Sequence, residues 1–481
     1  MGQHFDKDTF TASDHRQFRE RLQQQIIQLK DVIRQASFSR GSASIGAELE
    51  MYMIDQHGLP APIIEQIIET MGDKQVTEEI NQYNVEYNLS PVPAKGAPFS
   101  AMTNELLPAI DALTACAKKF DARPVSIGIL PTLTKIHLHK HYLTDRARFR
   151  ALVNHIVTPD GEPFAVDING QDSLKMAFDE VTLEGANTSF QVHLKIPADR
   201  FKQFYNAAQL ITPLVLAVAG NSPLFMGKRL WQETRIALFK QATDIRAQPH
   251  NRWQQPARVP FGQGWVRDDA WELFAQNVAL YRPLLPYLFD DNQPFAELLL
   301  HHGTVWSWNR PVFDPVDGGH LRIEYRAFPA GPTVIDMMAN AALAIGWTQA
   351  LVNDIDDMLV KLPFHYAEYN FYRAAQHGLQ AKILWPQKAQ HQLQEVAITD
   401  VIKSMLPKAA EGLAQLGVDS TEINKMMTVI EDRVANQQTG SRWQLSTLDK
   451  YQRKHQKDQA LALMLSEYMD NAAQGHPVSH W

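Results

Sequence analysis

Short alternating stretches carry the residues that could do chemistry together. In SIGAELEMYMID, Ser44 to Asp55, the side chains of Ile45, Ala47, Leu49, Met51 and Met53 alternate with Glu48, Glu50 and Tyr52. A period of two is that of a β-strand, so the two carboxylates share one face at a separation of about 7 Å. Like charges at that spacing repel, and a shared proton or a bound cation relieves the repulsion. Oxygen ligands of this kind suit Mg²⁺, which takes one or two carboxylates and leaves room for phosphate oxygens. More acid follows at Glu79 and Glu86, seven residues apart, the second in the extended VEYNLSP. In ANTSFQVHLKIP, Ala186 to Pro197, Phe190, Val192, Leu194 and Ile196 fall on one face and Ser189, Gln191, His193 and Lys195 on the other. LRIEYRAF, Leu321 to Phe328, repeats the pattern with Ile323, Tyr325 and Ala327 opposite Arg322, Glu324 and Arg326. Between these stretches, KRLWQETRIALFK brings Arg229 and Arg235.

Strands whose polar faces point inward build an acidic funnel. In such a funnel carboxylates hold divalent ions, and arginines grip phosphate and substrate carboxylate. That chemistry suits phosphoryl transfer from ATP. The chain has no GxxxxGK[ST], no GxGxxG and no GxSxG, which sets aside a P-loop, a Rossmann site and a nucleophile elbow. KIHLHKHYL places His137, His139 and His141 in alternation, as on a strand face. A closed zinc site needs a further ligand and no cysteine lies nearby, so the favoured reading is a polar rim near a pocket.

The elements that must position these residues alternate between helix and strand. Apolar spacing predicts helices over 11–35 with Ser13 as cap, 63–71, 99–120, 144–155 capped by Thr144, 199–220, 269–280 and 333–359. PVSIGIL, 124–130, and AVDING, 165–170, read as further strands. Residues 248–267 and 301–320 lack a period and read as long loops over a site. After Pro363 the chain reads as helical to near its end, broken at Trp385-Pro386. An apolar share of 45% and a charged share of 21% are those of a soluble globular chain. A net charge of −7 gives no basic face for nucleic acid. No apolar run is long enough to span a membrane. The single cysteine, Cys116, excludes an internal disulfide and fits a reducing, cytoplasmic setting.

Taken in order, GAELE at Gly46 to Glu50, the acids Glu79 and Glu86, TSFQVH at Thr188 to His193, NSP at Asn221 to Pro223, Glu-x-Arg at Glu324 to Arg326 and YRAAQHGLQA at Tyr372 to Ala381 resemble the glutamate–cysteine ligase family. The likeness is to its carboxylate–amine ligase branch, within the glutamine synthetase-like superfamily, and runs from about Ile45 to Trp385. It implies an α+β fold: a curved antiparallel sheet of about six strands flanked by helices, with a catalytic domain over 1–386 and a helical C-terminal appendage over 387–481. That appendage suits packing or homo-oligomer formation. The resemblance also implies two Mg²⁺ or Mn²⁺ ions, with Glu48, His193 and Glu324 holding one near the transferring phosphate, and Glu50, Glu79 and Glu86 the other on the substrate side. Arg326 matches the arginine that stabilises the moving phosphoryl. Arg235, with Arg229 as second choice, contacts nucleotide or acyl phosphate, and Thr188 and Gln191 line the substrate. The implied reaction joins the γ-carboxylate of glutamate, or a similar acid, to a small amine through an acyl phosphate made from ATP. Cysteine as the amine would place it in glutathione biosynthesis. A phosphagen-type kinase on the same sheet, or a non-catalytic nucleotide or metabolite sensor, are the competing readings.

Overall fold

The computed structural model describes residues 5–156, 163–178, 181–246, 256–290, 292–387 and 392–481. Its strands, in chain order, are β1 (Ser44–Asp55), β2 (Val76–Glu78), β3 (Asn84–Asn88), β4 (Val92–Pro93), β5 (Ala122–Val125), β6 (Phe164–Asn169), β7 (Ser173–Phe178), β8 (Phe190–Ile196), β9 (Leu224–Phe225), β10 (Lys228–Arg229), β11 (Asn309–Asp314), β12 (His320–Tyr325), β13 (Lys382–Pro386) and β14 (Leu393–Ala397). A curved antiparallel sheet runs β11-β12-β8-β1-β3-β2, and β4 and β5 pair with the two ends of β1. The path has the six strands expected, and the two short strands bring the sheet to eight among the described residues.

Register decides which polar side chains meet. Glu50 lies opposite Glu86 across β1 and β3, and Glu48 opposite Gln191 across β1 and β8. Across β8 and β12, His193 faces Glu324, and across β12 and β11, Glu324 faces Arg310. A one-residue slip would turn every one of these side chains into the core. The opposite face supplies the reason the register holds: Leu49, Met51, Phe190, Val192, Leu194, Leu321 and Ile323 are buried in one apolar cluster. The helices Phe201–Ala219 and Val334–Leu351 cover that face and are themselves buried along nearly their whole length. Each fully buried leucine or isoleucine contributes about 1.5–3 kcal/mol over its exposed state, which sets the energy scale of the pattern.

The C-terminal helices join the same cores. Ile398–Leu416 packs on Val334–Leu351 so closely that a Cβ on Gly412 would collide with the Gly346 carbonyl. Trp347 donates through Nε1 to the Met405 carbonyl at 2.8 Å, and Arg433 pairs with buried Asp336 at 2.8 Å. Residues of Gly440–Gln452 and Lys457–Gln474 pack with Tyr52 and Ile54 of β1 in a second cluster.

Several local expectations change. KIHLHKHYL is two 3-10 turns, Lys135–Leu138 and Lys140–Tyr142: Thr134 and His137 cap one another, and among the described residues the segment pairs only through an isolated bridge from Leu143 to Asn81. PVSIGIL leaves the sheet after Val125, and the carbonyls of Ile127 and Gly128 accept from the Thr188 hydroxyl instead of a ladder. Thr144 caps no helix, since its hydroxyl donates to the Glu79 carbonyl at 2.6 Å and the helix starts at Ala147. Thr11, not Ser13, caps the first helix, Ala12–Ile33. The expected helix over 333–359 is two, Val334–Leu351 and Ile355–Lys361. The segment around Trp385-Pro386 is a β-hairpin, β13 with β14. Within the long loop at 248–267, residues 248–255 lie outside the described residues. The 301–320 stretch holds the end of a helix, Ala296–His302, and all of β11.

Candidate active site

The polar face of β1 sorts its two carboxylates into two groups. Ligand atoms of Glu48, His193 and Glu324 lie within 4.8 Å of one another, as do those of Glu50, Glu79 and Glu86. Glu79 comes from the loop after β2, which the Thr144 hydroxyl pins from outside the sheet. The other five come from β1, β3, β8 and β12.

Two arginines define the first group. Glu324 is fully buried and accepts from Nη2 of Arg310 at 2.9 Å and from Nη1 of Arg326 at 2.8 Å. Burial pushes its carboxyl up, but Arg310 and Arg326 more than offset this and hold it well below the usual range. Burial also raises Glu48, and the nearby His193 brings it below its ordinary value. Arg322 donates to Nδ1 of His193 at 3.0 Å. Nε2 of the same ring is buried, lies 3.3 Å from Oε1 of Glu48 and has no hydrogen-bond partner.

The second group is short of positive charge. Glu50 accepts from the Ser189 amide and from Nε2 of Gln191, each at 2.7 Å. Burial and the charge of Glu86 still push it up to about 7. Glu79 is raised well above its ordinary value by burial, Glu86 and Glu50. Glu86 accepts from Asn88 at 2.8 Å and from Thr77 at 3.0 Å.

One hydrogen-bonded chain joins the groups. Nη1 of Arg326 donates to Glu324 and to Oε1 of Gln191, and Gln191 in turn donates to Glu50. On the far side of the first group lies a cavity of about 530 Å³, lined by Glu48, His193, Arg148, Arg310 and Arg322 with apolar Leu299 and Phe313. Beside the second group is a narrow recess lined by Glu50, Glu79, Glu184, Arg235, Arg326 and Trp308.

The remaining expected residues divide. Thr188 lines the recess and ties its wall to residues 127–128. Arg235 also lines it; its Nη1 donates to the Ala327 carbonyl at 3.1 Å and lies 3.7 Å from Glu233, while its Nε has no partner. Arg229 is not brought to the acids: it donates to Asp449 and Gln452 on the C-terminal helix Gly440–Gln452. His137, His139 and His141 join neither group.

Arg310, Arg148 and Glu184 escaped the sequence reading. Arg310 had a usable signal, since the short Gly-rich link 315–319 between β11 and β12 closes a hairpin that sets Arg310 opposite Glu324. Glu184 sits in a 3-10 turn, Val181–Ala186, with no period to point at it, and burial pushes its carboxyl up to about 7.

Divalent metal fits both groups. His193 Nε2 is a buried ligand atom without a hydrogen-bond partner among the described residues, and Glu50 and Glu79 are carboxylates whose mutual repulsion Arg326 and Arg235 offset only in part. Five carboxylates and one imidazole without sulfur form a mainly hard donor set, which accommodates Mg²⁺ or Mn²⁺.

Among solved structures, a glutamate–cysteine ligase from Francisella tularensis in complex with AMP superposes with a TM-score of 0.56 at 11% identity, covering 91% of this chain and 94% of that one. At that identity the likeness is one of fold. A bifunctional glutathione synthetase from Pasteurella multocida (TM-score 0.45, 10% identity, 93% of this chain and 55% of that one) and the Pup ligase PafA in complex with Pup (0.32, 11%, 88% and 72%) are more distant. No curated protein sequence matches. A model of the family "Glutamate-cysteine ligase family 2 (GCS2)" matches residues 44–463, from the first residue of β1 into the last long helix. The chain therefore belongs to the glutamate–cysteine ligase family 2.

Proposed function

We propose that the protein is an ATP-dependent ligase that joins the γ-carboxylate of glutamate, or a closely similar acid, to a small amine such as cysteine through an acyl phosphate. The observation that carries this reading is the hydrogen-bonded chain Arg310–Glu324–Arg326–Gln191–Glu50, which runs from the wall of a cavity large enough for a nucleotide to a polar recess beside the second acidic group. Glu48, His193 and Glu324 would hold one Mg²⁺ on the nucleotide side, and Glu50, Glu79 and Glu86 the other on the acid side. Bound there, the ions would neutralise phosphate charge and align donor and acceptor oxygens.

The chain's own residues do the rest. In the first step a carboxylate oxygen of the acid bonds to the γ-phosphorus as the bond to the bridging oxygen breaks, and that electron pair leaves with ADP. Arg326 touches both carboxylate groups through Glu324 and Gln191, so its guanidinium stands where the phosphoryl passes. In the second step the amine nitrogen bonds to the acyl carbon, orthophosphate leaves with the C–O electron pair, and the proton given up by the nitrogen goes to the departing phosphate. Thr188 and Gln191 shape the acid's seat, and Arg235 offers its unpartnered Nε to an anionic group there. Arg229, engaged with the C-terminal helix, takes no part. Residues 1–386 carry every site residue in this reading, and the helices from Ile398 onward buttress them.

The test is orthophosphate release from Mg·ATP with glutamate and a panel of amino acids and polyamines, with the amide identified by mass spectrometry. Phosphate release that needs both acid and amine supports the reading. ATP consumption with no amide would overturn it.

A further inference from the structure

Arginines crowd the boundary between cavity and recess, and most are already engaged. Arg310 and Arg326 pair with Glu324, Arg322 donates to His193, and Arg235 serves the Ala327 carbonyl beside Glu233. Arg148 differs. It stands in the first turn of the helix Ala147–His155, between two arginines that point outward into ion pairs, Arg146 with Glu78 at 2.7 Å and Arg150 with Asp8 at 3.2 Å. Arg148 points inward and lines the large cavity with Glu48, His193 and Arg310. Among the described residues it has no hydrogen bond and no ion pair; its one contact of note is the ring of its neighbour Phe149, 5.9 Å away.

Arg148 lines the cavity on the side of the first group, while the charges of Glu79, Glu86 and Glu184 on the recess side act on its guanidinium. Burial weakens its hold on its proton, with the attraction of Glu79 opposing. A guanidinium partly withdrawn from water and without a carboxylate of its own gains more from an arriving anion than a fully solvated one would. The planar fork matches phosphate oxygens.

We propose that Arg148 is a further catalytic residue, gripping the phosphoryl group as it passes from nucleotide to acid. This rests on the ligase reading above. The bonds made and broken are those of the first step already given: acid oxygen to γ-phosphorus forms, and the γ-phosphorus to bridging-oxygen bond breaks with its electrons going to ADP. Arg148 neither gains nor loses a proton; it donates hydrogen bonds to equatorial oxygens whose charge is redistributed in transit. The recognised chemistry is a planar phosphoryl group between two oxygens, not the ground-state triphosphate.

Arg148→Lys and Arg148→Gln in the full chain test it, with unfolding midpoints to verify folding. Two readouts are needed: turnover with Mg·ATP, acid and amine, and the thermal stabilisation by Mg·ADP with and without aluminium fluoride, which mimics the phosphoryl in flight. Both variants are expected to lower kcat by about 10²-fold with ATP affinity changed only a few-fold, as for a lost transition-state donor. Both should lose the extra stabilisation that aluminium fluoride adds to ADP in the wild type. Guanidinium ion added to Arg148→Gln should restore part of the rate. Unchanged kcat overturns the proposal. So does a loss of ATP or acid affinity as large as the loss in kcat, which would make Arg148 a ground-state clamp. If the wild type itself shows neither turnover nor stabilisation by ADP with aluminium fluoride, the ligase reading has failed and this inference with it.

Discussion

Glu50→Gln probes the second carboxylate group where its energetics can be worked through. In the folded protein Glu50 is pushed from 4.5 to about 7 by burial and by Glu86. A raised carboxyl favours the folded state below pH 4.5 relative to higher pH, and that advantage is lost as the pH rises through 7. Above pH 7 the ionised group therefore destabilises the metal-free fold, by about 3 kcal/mol at 1.36 kcal/mol per unit. Glutamine removes the charge but keeps only one acceptor for two donors, the Ser189 amide and the Gln191 side chain, a loss of about 1 kcal/mol. The net expectation is a metal-free variant more stable than wild type by about 2 kcal/mol at pH 8 and equal or slightly weaker at pH 4.5. Relief of Glu79, which Glu50 also raises, adds in the same direction. The assay is urea or thermal unfolding of both proteins in chelator at the two pH values, followed by the same scans with Mg²⁺. Wild type should gain more from Mg²⁺ than the variant, and the variant should have no turnover. A variant less stable than wild type at pH 8, or a difference that does not change with pH, refutes the reasoning.

Glu324→Gln should behave in the opposite way without metal, because it strips the carboxylate from Arg310 and Arg326; a loss of roughly 3–5 kcal/mol is expected in unfolding experiments, together with loss of turnover. Since Glu324 is held below its ordinary value, its contribution is present above pH 4.5 and should fade as the pH falls below that, so the variant and wild type converge in acid. Arg326→Lys keeps charge but loses the planar guanidinium whose Nη1 serves both Glu324 and Gln191, and should lower kcat by about 10²-fold while ATP affinity measured by calorimetry changes only a few-fold. Chelation should abolish turnover reversibly, with Mg²⁺ or Mn²⁺ restoring it; full activity in excess chelator would remove the two-metal assignment.

The period-two pattern of SIGAELEMYMID, TSFQVHLKI and LRIEYRAF was enough to mark three strands and the face each presents, because which side a residue faces depends only on its immediate neighbours along the chain. The same local logic put Glu48, Glu50, His193, Glu324 and Arg326 on polar faces, and motif order made the family legible. Local pattern misled where partners decide the outcome: the alternating histidines 137, 139 and 141 had a strand's period but no partner strand among the described residues, and β13 and β14 were hidden in a sequence read as helical. Which acids meet was a matter of register, set by the burial of Leu49, Val192 and Ile323 on the opposite face across strands more than a hundred residues apart. Tertiary structure alone separated the arginines. Arg229 turned to Asp449, Arg310 entered the site through a hairpin, and Arg148 came inward from a helix whose neighbouring arginines face out. A guanidinium's role depends on which carboxylates lie within a few ångströms, and long-range packing decides that.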